Sequence, residues 1–349
     1  MPARFSRDSL TLDAPCEAER ICDAIRDQVW RQLRRRGAVI GLSGGVDSSV
    51  TAALCVRALG ADRVAGLLKP EQESSPASLE LGRAIAARLR IDSILEDITP
   101  ILKAAGCYRR RDDAIRTLVP QYDETWKCKI VRPGLIQSDS NLFSVGVESP
   151  AGAQRRARLT VEAYLAIVAA TNFKQRVRKM MEYHHADRLQ YAVVGTPNRL
   201  EHDQGFFVKN GDGSADLKPI AHLYKTQVYQ LAEFLEIPEA IRQRAPTTDT
   251  YSMAQSQEEF YFSLPYQSLD LCLLGLNLGL PPEVVAASVG LPPEHVARVY
   301  LDIEKKRKTN RYLHTPALTV EGVDDFETAG AVACSPPSQD GDSRNVATR

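Results

Sequence analysis

The chain has 349 residues, enough for a substantial core in one large domain or two ordinary ones, and its 44 Lys and Arg balance 44 Asp and Glu. Zero net charge supplies no global field for nucleic acid or acidic membranes, leaving only local basic runs such as Arg34 to Arg36 and Lys305 to Lys308. Seven scattered cysteines without a CxxC pair argue against a zinc cluster or a disulfide framework, and no run approaches the roughly 18 apolar residues of a membrane helix.

The N-terminal Met-Pro-Ala-Arg-Phe-Ser lacks the apolar core of a signal peptide, so a cytoplasmic location is expected. Ile21, Ile25, Val29 and Leu33 recur every fourth residue with polar residues between them, which predicts a helix from about Pro15 to Arg35 with one face on a sheet. Strand Ala38 to Leu42, helix Ser48 to Leu59, strand Arg63 to Leu68, helix Ala77 to Leu89 and strand Ser93 to Ile98 follow. This alternation predicts a doubly wound α/β fold, its mostly parallel sheet covered by helices on both faces. Residues 107–160 read as an insertion, decorative or a lid, containing a hairpin. Its strands run Asn141 to Glu148 and Ala153 to Thr160 around a Ser149-Pro150-Ala151-Gly152 turn. A long helix, unbroken or interrupted, spans about Val161 to Ala186, and strand Tyr191 to Val194 ends at Gly195-Thr196. Past Leu217 the pattern turns helical, clearest over Lys225 to Leu235 and continuing to about Arg307. One domain over 1–329 and a disordered tail over 330–349, rich in Ser, Pro, Gly and Asp, are expected.

The most informative segment is Leu42-Ser43-Gly44-Gly45-Val46-Asp47-Ser48-Ser49, which lies between a predicted strand and a predicted helix. Glycines let backbone approach a phosphate, and the amides and positive end of the following helix face the anion. Serine hydroxyls add donors, and Asp47 adds a carboxylate for a hard cation bridging phosphates. A Walker A loop would need lysine where Val46 stands, so this is a different phosphate loop. It resembles the SGGxDS loop of the ATP pyrophosphatases, which implies cleavage of ATP between its α and β phosphates.

Further along, Glu201 lies six residues past Gly195, near enough to a strand end to face Asp47. Two carboxylates from separate segments commonly hold magnesium while leaving positions for phosphate and water. Lys225 and Thr247 suit a departing pyrophosphate and a neighbouring oxygen, whereas Arg176 and Arg178, two apart on a helix, point to different sides.

Gly195-Thr196, Glu201, Gly205-Phe206-Phe207-Val208-Lys209, Gly211-Asp212-Gly213, Asp216, Leu223-Tyr224-Lys225 and Ala245-Pro246-Thr247, in this order, resemble the ammonia-utilising NAD synthetases. Asn172 to Arg178 and Glu304-Lys305-Lys306-Arg307 add to the resemblance, which covers roughly residues 20 to 315. It implies a Rossmann-like, adenine nucleotide alpha hydrolase-like fold. ATP would be held by Leu42, Ser43, Gly44, Gly45, Val46, Asp47, Ser48, Ser49, Thr196, Lys225 and Thr247, and Mg2+ by Asp47 and Glu201. Arg176, Lys209, Asp216, Lys305 and Lys306 would contact the dinucleotide, and Asp47, Lys225 and Asp212 would be catalytic, with Asp212 beside the reacting carboxyl. The implied reaction adenylates the nicotinate carboxylate of deamido-NAD, after which ammonia attacks to give NAD, AMP and pyrophosphate. The resemblance also implies a homodimer and a closing segment around Tyr251 to Gln257. The chain is too short for an added glutaminase domain, which implies free ammonia or a separate donor protein.

The pattern departs from the family where Pro197-Asn198 replaces Asp-His, where Lys305 replaces histidine, and in the aromatic Phe260-Tyr261-Phe262. These departures place more weight on the ATP chemistry than on the acceptor, and keep open a sister ligase acting on another carboxylate. A tRNA-thiolating enzyme would need reactive cysteines and a basic surface. A nucleotide sensor with a dead site would have no reason to keep Asp47, Glu201, Lys225 and Thr247 together.

Overall fold

The computed structural model describes residues 5–132, 143–247, 250–262 and 264–321. Within Met1–His314, one compact unit, the elements run in the predicted alternation. Helix α1 (Ala14–Arg26) is capped by Asp13, whose carboxylate accepts from Cys16 N, and continues as a π-helical turn over Asp27–Gln32. Then come β1 (Ala38–Gly41), α2 (Val46–Leu59), β2 (Val64–Leu68), α3 (Pro76–Leu89), β3 (Asp92–Leu95), α4 (Thr99–Ala104) and α5 (Cys107–Arg116). Residues 315–321, in a separate unit, carry no helix or strand.

Strands β3, β2, β1 and β7 (Ala192–Val194) form a parallel sheet in that order. Alternate residues of β1 face opposite layers. Ala38 and Ile40 pack with α1, α2 and α3, while Val39 packs with Ala186 of α6 (Val161–Leu189) on the other face. The chain leaves β1 toward β2 on one side and reaches β7 on the other, so the strand order reverses there. The loops after β1 and β7 therefore open onto one crevice. Helix α6 is unbroken over 29 residues, capped by Thr160 at its start and closed by left-handed Gln190.

The expected hairpin is present, with β5 (Ser144–Glu148) pairing antiparallel to β6 (Gln154–Arg158). A third strand, β4 (Lys127–Val131), pairs with β5 to make a separate sheet, β4-β5-β6. Its alternation of Cys128 and Ile130, both buried, with Lys127 and Lys129 was a legible signal in the sequence. Asn141, Leu142 and the tail expected over 330–349 lie outside the described residues. Helices α7 (Arg199–Gln204), α8 (Lys225–Phe234), α9 (Glu239–Arg242), α10 (Tyr266–Asn277), α11 (Pro282–Val289) and α12 (Pro293–His314) complete the unit. The last three build a second apolar cluster around Cys272, Leu273, Val285, Val296 and Ile303. No described helix is long and apolar enough to cross a membrane.

Candidate active site

A cavity of about 710 Å³ opens at the carboxyl ends of β1, β2 and β7. Its floor is the phosphate loop. Gly45 caps α2, so the amides of Val46, Asp47 and Ser48 have no carbonyl within the helix and point toward the opening. The serines shape the loop from within: Ser43 and Ser48 hydroxyls lie 3.1 Å apart, and Ser48 and Ser49 donate to Gly45 O at 3.0 and 2.8 Å. Gly44 has φ +71°, and a Cβ there would stand 2.6 Å from Ser78 O, so only glycine fits. Gly44 and the fully buried Ser49 do not line the cavity, and of the expected ATP contacts these two hold the loop's shape instead.

Asp47 projects from the first turn of α2 and meets two partners. Its Oδ2 pairs with Lys225 Nζ at the start of α8, and its Oδ1 accepts from Asn198 Nδ2 at 3.1 Å. Asn198 also caps α7, where its side-chain oxygen accepts from Glu201 N at 3.2 Å and its backbone N–H donates to Glu201 Oε2 at 3.1 Å. The departure at Pro197-Asn198 thus lies on the phosphate side of the site, not on the acceptor side: Asn198 is a joint between the two carboxylates.

Burial, then the negative charge of Asp47, pushes the Glu201 carboxyl up to about 8, with Lys225 opposing. Burial pulls on Lys225 in the opposite sense, yet Asp47 and Glu201 outweigh it and hold the ammonium charged. One ammonium facing two carboxylates leaves the cluster short of positive charge. Asp47 and Glu201 could therefore hold one hard divalent cation, the remaining positions going to phosphate oxygens and water. No group of three or more His, Cys, Asp or Glu suited to a metal occurs among the described residues.

Sequence reasoning missed the groups that support this cluster. Asp270 of α10, fully buried, accepts from Lys225 N, Thr226 N and Thr226 Oγ1 at 3.3, 2.7 and 2.6 Å, fixing the turn that carries Lys225. Burial pushes its carboxyl up to about 6. Lys69, just past β2, and Lys179 both pair with Glu182, and all three line the cavity. Gly41 makes room for them, since a Cβ there would stand 2.7 Å from Glu182 Oε1. Beneath the cavity, fully buried Lys174 donates to Glu71, Glu73 and Thr250 O at 2.9, 2.6 and 2.8 Å, and Arg111 grips Glu73 at 2.6 and 2.7 Å.

The remaining expected residues divide. Leu42, Ser43, Gly45, Val46, Ser48, Thr196 and Thr247 line the cavity. So do both Arg176 and Arg178, which the wide cavity brings to one chamber although they lie two apart on α6. Arg176 donates to Lys209 O at 3.3 Å, and Lys209, also lining, donates to Tyr312 O at 2.7 Å. Asp212 lines the same region, accepting from Val208 N at 2.7 Å, with burial pushing its carboxyl up.

Three expected dinucleotide contacts do not line the cavity. Asp216 accepts from Val193 N at 2.7 Å and Tyr183 OH at 3.3 Å, satisfying the backbone of β7. Lys305 is exposed on α12. Lys306 is buried against Asp302 at 2.8 Å and donates to Tyr261 O at 2.9 Å, so it braces α12. A basic run on a helix places successive residues on different faces, and the two lysines here take an exposed and a buried face, neither toward the cavity.

A family model described as NAD synthase matches residues 17–118 and 145–313. The NH(3)-dependent NAD(+) synthetase of Mesorhizobium japonicum is 59% identical over 89% of this chain and 98% of its own length. The enzyme of the same name from Thermotoga maritima is 36% identical over 74% of this chain and 86% of its own. Among solved structures, an NMN synthetase from Francisella tularensis superposes with a TM-score of 0.62 at 21% identity, covering 88% of this chain and 99% of that one. An NH3-dependent NAD synthetase from Campylobacter jejuni gives 0.58 at 24%, covering 89% and 100%. These two establish the fold alone. With the phosphate loop, the Asp47 to Glu201 joint and matches across nearly the whole compact unit all in agreement, the chain belongs to the NAD synthase family.

Proposed function

We propose that this chain is an ammonia-dependent NAD+ synthetase, using ATP to activate the nicotinate carboxylate of deamido-NAD for attack by ammonia. The observation that carries the proposal is Asp47 held between Lys225 and Asn198 at the mouth of the phosphate loop, in a chain 59% identical to a relative of that name.

A carboxylate is a poor electrophile. Attack of its oxygen on the α phosphorus of ATP forms an acyl adenylate as the bond to the β phosphate breaks and pyrophosphate leaves. Ammonia then forms the C–N bond, AMP leaves with the C–O electron pair, and a proton is lost from nitrogen. In this reading the α2 amides and the Lys225 ammonium face the phosphates, stabilising the charge that develops on departing pyrophosphate. Mg2+ held by Asp47 and Glu201 would supply further charge neutralisation. Thr196 and Thr247 contact ATP, Arg176 and Lys209 orient the dinucleotide, and Asp212 stands by the reacting carboxyl. The cavity walls keep water from the adenylate until ammonia arrives. The active form is a homodimer, and ammonia arrives free or from a separate donor.

The test is pyrophosphate release by purified protein with ATP, Mg2+, ammonium and deamido-NAD, with NAD followed separately. Coupled formation of both products is expected, and Asp47→Asn should lower kcat at least a hundredfold, in line with losses from removing a single transition-state contact. Pyrophosphate release that ignores deamido-NAD and requires another acid would overturn the proposal.

A further inference from the structure

The family match leaves out residues 119–144, and these contain β4. Strand β4 lies at the edge of its sheet, pairing with β5 on one side only. Three of its outward backbone groups are nonetheless taken. Cys128 N donates to Ser252 Oγ at 2.9 Å, Cys128 O accepts from Met253 N at 3.1 Å, and Ile130 O accepts from Gln255 Nε2 at 2.6 Å. Tyr251 is buried in the apolar cluster of the same sheet. One step upstream, Lys174 holds Thr250 O. Downstream, Gln257 N donates to Pro246 O at 3.0 Å, and Gln257 Nε2 donates to Glu201 Oε1 at 3.1 Å.

We propose that β4 is a dock for the segment Thr250 to Gln257, and that docking delivers Gln257 as a positioning residue for Glu201. Glu201 has two oxygens, one oriented by Asn198 and the other by Gln257. Without the second donor the carboxylate turns about its own axis and its approach to a cation is no longer fixed. A stretch outside the common family pattern thereby sets the geometry of a shared site. The proposal rests on the ATP-site reading above only where it predicts kinetics; the docking itself does not.

Two variants separate the parts. Ser252→Ala with Gln255→Leu removes two contacts to β4 without touching the cavity carboxylates, and Gln257→Ala removes only the delivered donor. Hydrogen exchange of the free protein is read in peptides spanning 250–257, with peptides from β1 and α2 as the control for folding. The double variant should exchange at least about fivefold faster in 250–257, from two lost bonds, with the controls unchanged. Gln257→Ala should leave that exchange near wild type. Both variants should raise the KM for ATP about fivefold or more while changing kcat less, and Gln257→Asn should recover neither, since its amide is one methylene too short. Wild-type exchange in the double variant would overturn the docking, and an unchanged KM in Gln257→Ala would overturn the positioning role. A wild-type protein that releases no pyrophosphate would instead sink the functional reading, and the exchange comparison would still decide the docking.

Discussion

Lys174→Met tests the buried charge network most directly. The network holds Lys174 and Arg111 against Glu71, Glu73 and Asp112, with the Glu71 side chain fully buried. Removing the ammonium leaves one cation among three carboxylates. Glu73 keeps Arg111 through two contacts, so the loss concentrates on Glu71, which retains Tyr108 OH at 2.7 Å and Glu73 N at 3.1 Å. Breaking a buried ion pair costs about 3 to 5 kcal/mol, and the surviving donors put this case near 4. For a folded unit of roughly 310 residues at about 2.1 cal/mol/K each, that is about 6 °C of melting temperature. The assay is thermal unfolding followed by circular dichroism, with Lys174→Met/Glu71→Gln as the companion. Neutralising Glu71 removes the uncompensated charge, so the double variant should recover at least half of the loss. A single variant within about 2 °C of wild type, or a double variant no better than the single, would refute the reasoning.

Asn198→Ala removes a helix cap and the Asp47 contact together, costing about 1 kcal/mol of stability and raising the KM for ATP severalfold. Asn198→Asp keeps the cap but buries a third carboxylate beside Asp47, so it should lower both activity in steady-state kinetics and the melting temperature more than Asn198→Ala does. Asp270→Ala strands the buried amides of Lys225 and Thr226, and should cost about 2 to 3 kcal/mol in unfolding and at least tenfold in kcat. Lys306→Met should leave the KM of both substrates within about twofold in the pyrophosphate assay, because Lys306 does not line the cavity. Burial, against the pull of Asp302, lowers its ammonium from 10.5 to about 8, so the folded protein gives up that proton before the unfolded chain does. Wild type should therefore gain stability relative to Lys306→Met as pH rises from about 8 toward 10.5, which melting curves across that range would check.

The phosphate loop and the parallel core were legible because their signals are local: small residues between an apolar run and a helix, and elements alternating at regular length. Strand β4 was legible in principle, through Cys128 and Ile130 alternating with lysines, but a five-residue signal is faint beside the glycine-marked turn next to it. Asp270, Lys174, Lys69 and Glu182 were not, since a charge destined for a buried pair reads the same as one left in water until distant segments meet. The same limit applies to Asp216 and Lys306, which the resemblance assigns to the dinucleotide and the fold leaves out of the cavity lining. Each occurs at a motif position: Asp216 spends its carboxylate on the backbone of β7, and Lys306 its ammonium on Asp302 of its own helix and on Tyr261 O. The changed position Asn198 shows the converse, since only the fold reveals that it serves both Asp47 and Glu201.

The small antiparallel sheet has two borders. The outer border of β4 is occupied by the chain's own 250–257 segment, while that of β6 carries exposed Arg155, Arg156 and Arg158. An uncovered strand border is a template for a second chain, and repeated positive charge is one way proteins keep such a border from recruiting a copy of itself. One border is thus covered by hydrogen bonding, while the other, which pairs with no strand among the described residues, is lined with positive charge. Replacing the arginines with threonine would leave the catalytic cavity untouched and open a route to edge-to-edge aggregation, most visibly in high salt, where any residual repulsion is screened.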